Sequence, residues 1–95
     1  MREIRINVGM TPYINKIIKR TMFVNDASRS LIIRYAVKKR YEVDKLKFVD
    51  GPFESFARVY LPREGVAYVR ELAHKNNVPM SAVYCAMIKK YICSD

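Results

Sequence analysis

Residues 4–10, IRINVGM, and residues 56–61, FARVYL, decide how this chain folds. In the first, Ile4, Ile6, Val8 and Met10 alternate with Arg5, Asn7 and Gly9; in the second, Ala57, Val59 and Leu61 alternate with Phe56, Arg58 and Tyr60. Side chains leave a strand on opposite faces with a period of two, so each stretch predicts a half-buried strand with one core-facing side. A helical pattern follows each strand. Thr11 and Pro12 supply an N-cap and a first-turn proline, after which Ile14, Ile17, Ile18 and Met22 recur opposite Lys16, Lys19 and Arg20, predicting a helix from Pro12 to Val24. Asn25-Asp26-Ala27 breaks the pattern, and Ser28 caps a second helix with apolar face Ile32, Ile33, Ala36 and Val37, running to near Tyr41. Beyond the second strand, Pro62 opens a helix carrying Val66, Val69, Leu72 and Ala73. Asn76-Asn77 and Pro79 interrupt it, and Ser81 begins a last helix with Val83, Tyr84, Met87, Ile88 and Ile92, ending near Ser94.

The order is strand, helix, helix, twice. A shift of 51 positions superimposes Val8 on Val59, Met10 on Leu61, Lys19 on Arg70, Ser30 on Ser81, Ile32 on Val83, Val37 on Ile88 and Lys38-Lys39 on Lys89-Lys90, which argues for duplication. The first repeat is assigned to residues 1–44 and the second to 56–95. Residues 45–55 form a linker, because Asp50-Gly51-Pro52 is a strong turn signal and periodicity lapses around it. One strand and two short helices can neither pair the strand nor bury the helix faces, so the halves must complete each other. The simplest closure pairs strand 4–10 with strand 56–62 antiparallel and lays four helices on the apolar side. The expected fold class is α+β: two β-α-α repeats making one pseudo-symmetric domain.

Ninety-five residues leave room for a single small domain, and 51% hydrophobic content with three Gly and four Pro excludes disorder over most of it. Eighteen Lys and Arg against nine acids give a net charge of +9, which points to an anionic partner such as nucleic acid or a membrane surface. Cys85 and Cys93 are too few for a disulfide scaffold and sit roughly 12 Å apart along one helix, so a reducing, cytoplasmic setting is expected. The charged, alternating N-terminus is unlike a signal peptide, and no run approaches the roughly 18 apolar residues of a membrane span. Gln and Trp are absent while Ile, Val, Tyr, Lys and Arg abound, a bias in the thermophile direction.

The residues resemble the ribbon-helix-helix family of the MetJ and Arc repressors, in which an alternating strand ending in Leu-Pro leads to a helix, a Gly-like turn, a Ser-rich cap and a second helix. The second half, ARVYLPREGVAYVRELAHKNNVPMSAVYCAMIKKYI, follows that pattern, with Asn77 at the usual turn glycine and Pro79-Met80-Ser81 at the cap. The first half keeps the cap as Ser28-Arg29-Ser30 but has Met10-Thr11-Pro12 in place of Leu-Pro. The likeness covers about 80 residues, and a chain holding both halves is similar to tandem members such as TraY-type plasmid proteins or the AvtR-type regulators of archaeal filamentous viruses. The resemblance implies an intramolecular pseudo-dimer that inserts its two-stranded ribbon into the major groove of double-stranded DNA as a transcriptional regulator, repressor or activator, in a nucleoid or, if viral, in the host cytoplasm. Arg5, Asn7, Arg58 and Tyr60 become the base readers, with Phe56 at the edge, and Gly9 holds a reader position without a side chain. Ser28, Arg29 and Ser30, and Met80 and Ser81 in the second half, become the phosphate contacts, because a helix N-terminus presents free N–H groups and a positive dipole end. Residues 1–50 carry twelve cations against five acids and residues 51–95 six against four, so the first half should grip phosphates harder.

Taken singly, each outward polar residue has a plainer explanation as the solvated side of a ribbon. Lys38, Lys39, Arg40, Lys89 and Lys90 lie where helix C-termini favour cations, and His74 has no ligand-spaced Cys, Asp or Glu around it. Cys85 reads as a small core hydrophobe and Cys93 as a terminal residue. No nucleophile elbow, phosphate loop, dinucleotide fingerprint or metal cluster is present, so neither an enzyme, a cofactor, a metal nor a small-molecule substrate is expected. The competing explanation is a basic amphipathic module, built on PYINKIIKRTMFV, for a membrane surface or a partner protein, including an antitoxin-like role. The strand before that helix would then have no purpose, and little chain follows Ile92 to serve as a toxin-binding tail, so no membrane partner is expected. Self-association along DNA would use apolar residues left on the surface, in 42–55 or among the seven Tyr.

Overall fold

A computed structural model describes residues 3–39, 47–48 and 51–93. Strand β1 spans Glu3–Met10, helix α1 Pro12–Asn25 and helix α2 Arg29–Lys39; strand β2 spans Ser55–Pro62, helix α3 Arg63–Lys75 and helix α4 Met80–Cys93. The fold is α+β, with four helices on one two-stranded sheet. β1 and β2 pair antiparallel, with Arg5 opposite Tyr60, Asn7 opposite Arg58 and Gly9 opposite Phe56. Val8, Met10, Ala57, Val59 and Leu61 are buried on the inner side, whereas Ile4 and Ile6 stay half-buried at the ribbon end.

Local chemistry sets the helix ends. Thr11 caps α1 by accepting the Ile14 N–H on its hydroxyl at 3.2 Å, with Pro12 in the first turn. Ser28 does the same for α2, accepting from the Leu31 N–H at 3.1 Å. A non-glycine residue in the left-handed region follows each of these first helices, Asp26 at φ 51° as the cap of α1 and Asn77 at φ 53° one residue beyond the Asn76 cap of α3. The next amides close the turn, Ala27 N–H to the Met22 carbonyl at 3.2 Å and Val78 N–H to the Ala73 carbonyl at 3.0 Å, and Asp and Asn are the side chains that tolerate this backbone. Pro62 belongs to β2, so α3 starts one residue later than the proline signal suggests; proline has no N–H and the extended ladder holds it to its last position. α4 likewise begins at Met80, one residue before the expected Ser81. The expected ends of the second and last helices, near Tyr41 and Ser94, and residues 45, 46, 49 and 50 of the linker lie outside the described residues.

The expected apolar faces of α2 (Ile32, Ile33, Ala36, Val37) and α3 (Val66, Val69, Leu72, Ala73) are buried as such. α4 differs. Every residue from Ala82 to Ile88 is buried, because α4 packs on α1, α2, α3 and β1 at once, while Ile92 beyond them is only half-buried. The packing crosses between the halves: α4 lies on β1 and α2 on β2, and α2 and α4 lie on each other. Gly65 allows α3 to approach α2, since a Cβ there would come within 3.1 Å of Val37 Cγ1. The linker also contributes to the core, for Phe53 packs against it and the Glu54 N–H donates to the Met10 carbonyl at 3.0 Å.

Two ionisable groups are enclosed in this core. Burial pushes the Cys85 thiol from 9.0 to about 11, against a smaller lowering from the Thr11 backbone. Burial likewise pushes the Tyr84 hydroxyl to about 12, against a smaller lowering from Arg70, and that hydroxyl has no hydrogen-bond partner among the described residues. Both groups stay neutral in the fold and ionise at lower pH once unfolded, so their contribution is complete below pH 9 and is lost as pH rises. Urea midpoints should therefore fall between pH 9 and 11, with the unfolding free energy dropping by about 2 kcal/mol from Cys85 alone. Cys85→Ala should be less stable at pH 8 but lose less on going to pH 10.5, as read by paired denaturation curves.

Candidate nucleic-acid interface

The outer side of the ribbon is the one face of the sheet that no helix covers. Arg5 and Asn7 on β1 and Phe56, Arg58 and Tyr60 on β2 are all exposed there, Phe56 by 64% and Tyr60 by 52%. The expected base readers are thus brought together on one surface, two of them as the cross-strand pair Asn7–Arg58. The backbone groups of Gly9, Arg58 and Tyr60 point sideways, away from the partner strand, as described below. In an antiparallel ladder that orientation marks the non-hydrogen-bonded pairs, whose Cα atoms are only about 4.5 Å apart, so the outer side chains form a narrow double row.

Glu3 is the acid on this face. Arg34 neutralises it, with Nη2 2.8 Å from one carboxylate oxygen and Nη1 2.9 Å from the other. Among the described residues neither Arg5 nor Arg58 has an acidic partner. The row therefore presents two guanidinium groups without an ion-pair partner among the described residues, an amide and a phenol.

The sideways groups are held by the second helices of the opposite halves. The Gly9 N–H donates to Ser81 Oγ and the Cys85 S–H donates to the Gly9 carbonyl, both at 3.2 Å, from α4 onto β1. Ser30 Oγ donates to the Arg58 carbonyl at 3.4 Å and Arg34 Nη1 to the Tyr60 carbonyl at 3.2 Å, from α2 onto β2. These clamps put the N-termini of α2 and α4 beside the two ribbon edges. Sequence patterning pointed to Ser30 and Ser81 as phosphate contacts, and to none of Ser30, Arg34, Ser81 and Cys85 as ribbon-holding residues. The signal was the same 51-residue shift, which superimposes Arg34 on Cys85 as well.

The proposed phosphate contacts divide by what their side chains are already doing. Ser28 and Ser81 use an oxygen lone pair as acceptors, leaving the hydroxyl proton for a phosphate; Ser30 spends its proton on Arg58. Met80 packs its side chain on the core, so only its amide can serve. Arg29 is half-buried, and its Nε has no partner among the described residues. Lys89, taken from sequence as a solubilising cation, sits 5.8 Å from the Tyr13 ring centroid, a cation–π distance. His74 and Cys93 are exposed, and no group of three His, Cys, Asp or Glu that could hold a metal is found among the described residues.

Gly9 corrects the sequence expectation. It is buried rather than an open reader position, because a Cβ there would meet Ser81 Oγ at 2.8 Å, Phe53 Cβ at 3.0 Å and Phe56 Cε1 at 3.1 Å. Two phenylalanines thus close over one end of the ribbon. Compared with protein-family models, with curated proteins and with solved structures, the chain finds no match in any of the three.

Gly9→Ala should destabilise the fold by about 1–3 kcal/mol through overpacking. Ser81→Ala removes the closest obstacle, so the double variant should be more stable than the sum of the single effects, a non-additivity that thermal or urea unfolding will measure.

Proposed function

We propose that this chain is a sequence-specific double-stranded-DNA-binding transcriptional regulator of the ribbon-helix-helix kind, with both halves of the usual dimer in one chain. The observation that carries it is the exposed double row Arg5, Asn7, Arg58 and Tyr60, flanked on each ribbon edge by a helix N-terminus. A two-stranded ribbon fits the major groove, where each base pair shows a distinct donor and acceptor pattern. Arg5 and Arg58 suit guanine O6 and N7, and Asn7 suits adenine N6 and N7. The first turns of α2 and α4 then meet the sugar-phosphate backbones on either side, with Ser28, Arg29 and Ser81 as donors. The +9 charge supplies the non-specific attraction.

Several coincidences support the pseudo-dimer. α1 and α3 begin 51 residues apart, at Pro12 and Arg63, as do α2 and α4, at Arg29 and Met80. The left-handed residues Asp26 and Asn77 have the same separation. Asn7 and Arg58, equivalent under that shift, face each other across the ladder, which is where a two-fold axis would pass. Because equivalent positions carry different side chains, the preferred site should be an imperfect repeat rather than a palindrome.

The membrane-surface alternative loses its apolar face, since Ile14 and Ile18 of α1 are buried in the core. No helix among the described residues is long and apolar enough to cross a membrane. Neighbouring domains on one duplex would meet through apolar surface such as Phe23, which is 90% exposed.

Selection from random duplexes followed by footprinting should yield one preferred sequence protected in the major groove. With about 4 to 6 phosphates neutralised, log K should fall against log salt with a slope near −4 to −5. Arg5→Ala or Arg58→Ala should relax base preference at one position by about 1–3 kcal/mol, whereas Arg29→Ala should weaken all sequences alike and flatten the slope. If both strand variants kept full selectivity, the ribbon would not be the reader.

A further inference from the structure

The two ends of the outer row differ in kind. At one end Arg5 faces Tyr60; at the other Gly9 faces Phe56. Arg5 and Phe56 are equivalent under the 51-residue shift, so where one end offers a guanidinium the other offers a phenyl ring. Phe56 is exposed by 64%, and its ring lies over the ribbon. Its Cε1 lies 3.1 Å from the place a Gly9 Cβ would take, so the ring lies across the ribbon on its glycine partner, and Phe53 Cβ crowds the same spot at 3.0 Å. The missing Cβ of Gly9 is what lets the ring lie down on its cross-strand partner.

We propose that Phe56 is a specificity-determining residue that reads the 5-methyl group of a thymine at one end of the site; this rests on the ribbon being the DNA-reading face. A phenyl ring can neither donate to nor accept from a base edge. Set against the polar edge of guanine, adenine or cytosine, it strips water without replacing the hydrogen bonds. Thymine is the base whose major-groove edge carries an apolar group. Phe56 shares its strand face with Arg58, two residues along, so docking the guanidinium in the groove carries the ring in with it. Cross-strand packing on Gly9 is also a way to stabilise a bare glycine in a ribbon, and that role alone would leave base preference untouched.

The test uses the full chain and the duplex it enriches from a random pool. Each thymine of that duplex is replaced by uracil, one at a time, which deletes the methyl and keeps every hydrogen bond. The wild type should lose about three- to fivefold in affinity at one thymine towards one end, the worth of one buried methyl, and little elsewhere. Phe56→Ala should lose that sensitivity and bind the unmodified duplex more weakly by a similar factor; Phe56→Leu should keep part of it. Melting curves of both variants show whether they are folded, and Phe56→Leu carries the comparison if the alanine variant is not. A flat uracil scan, no thymine at either end, or unchanged sensitivity in a folded Phe56 variant overturns the inference, while selectivity that still depends on Arg58 leaves the ribbon as reader. Failure to enrich any sequence overturns both.

Discussion

The fold depends on the pairing of β1 with β2, because neither strand has another neighbour among the described residues. A lone strand in water satisfies its backbone with solvent and cannot hold a side in register. Pairing fixes Ile4, Ile6, Val8 and Met10 and Ala57, Val59 and Leu61 on a common side, which gives the helices something to cover. The helices return the constraint. α2 and α4 cross to the strand of the other half and bond its outward backbone groups, so the ribbon cannot slip by one residue without breaking the Ser30, Arg34, Ser81 and Cys85 contacts together. Register decides which residues face outward. The composition of the outer row is therefore a consequence of helix packing as much as of strand sequence.

The elements, their order and the ribbon pairing were legible because the local signals agree: strict alternation in 4–10 and 56–61, Thr11 and Ser28 as caps, and polar breaks at 25–27 and 76–77. The outward position of Arg5, Asn7, Arg58 and Tyr60 followed from the same alternation. The clamps were not legible. They join residues 26 to 76 positions apart, and no local period encodes which helix lies on which strand. The duplication hides them too, since the matching positions are filled by Arg34 in one half and Cys85 in the other, a guanidinium and a thiol giving a hydrogen bond to the same place on the ribbon. α4 was read with Val83, Tyr84, Met87, Ile88 and Ile92 as its apolar face and Cys85 as a core residue, yet its central place buries Ala82 and Ala86 as well. The burial of Gly9 was missed for a related reason: alternation assigned its side correctly, but not what leans over it from Phe53 and Phe56.

Under the proposed DNA-reading role, the asymmetry of the outer row is where the two strands would differ in function. Two copies of one strand would present the same groups at both ends. Here the inner sides of the strands remained equivalent, Val8 with Val59 and Met10 with Leu61, while the outer positions diverged to Arg5 and Phe56, Asn7 and Arg58, Gly9 and Tyr60. Core positions answer to packing, whereas outer positions are free to answer to whatever the ribbon touches.

Both strands of the ribbon belong to a single chain, and that changes how the protein behaves when it is scarce. A ribbon assembled from two chains exists only in proportion to the square of monomer concentration, and below its dissociation constant the reading surface disappears. In this protein strand pairing is intramolecular, so the folded fraction is the same at one copy per cell as at thousands. If the ribbon reads DNA as proposed, occupancy of a site below saturation would rise linearly with copy number, without a dimerisation threshold. Under the proposed regulatory function, such a chain would respond to the first molecules synthesised.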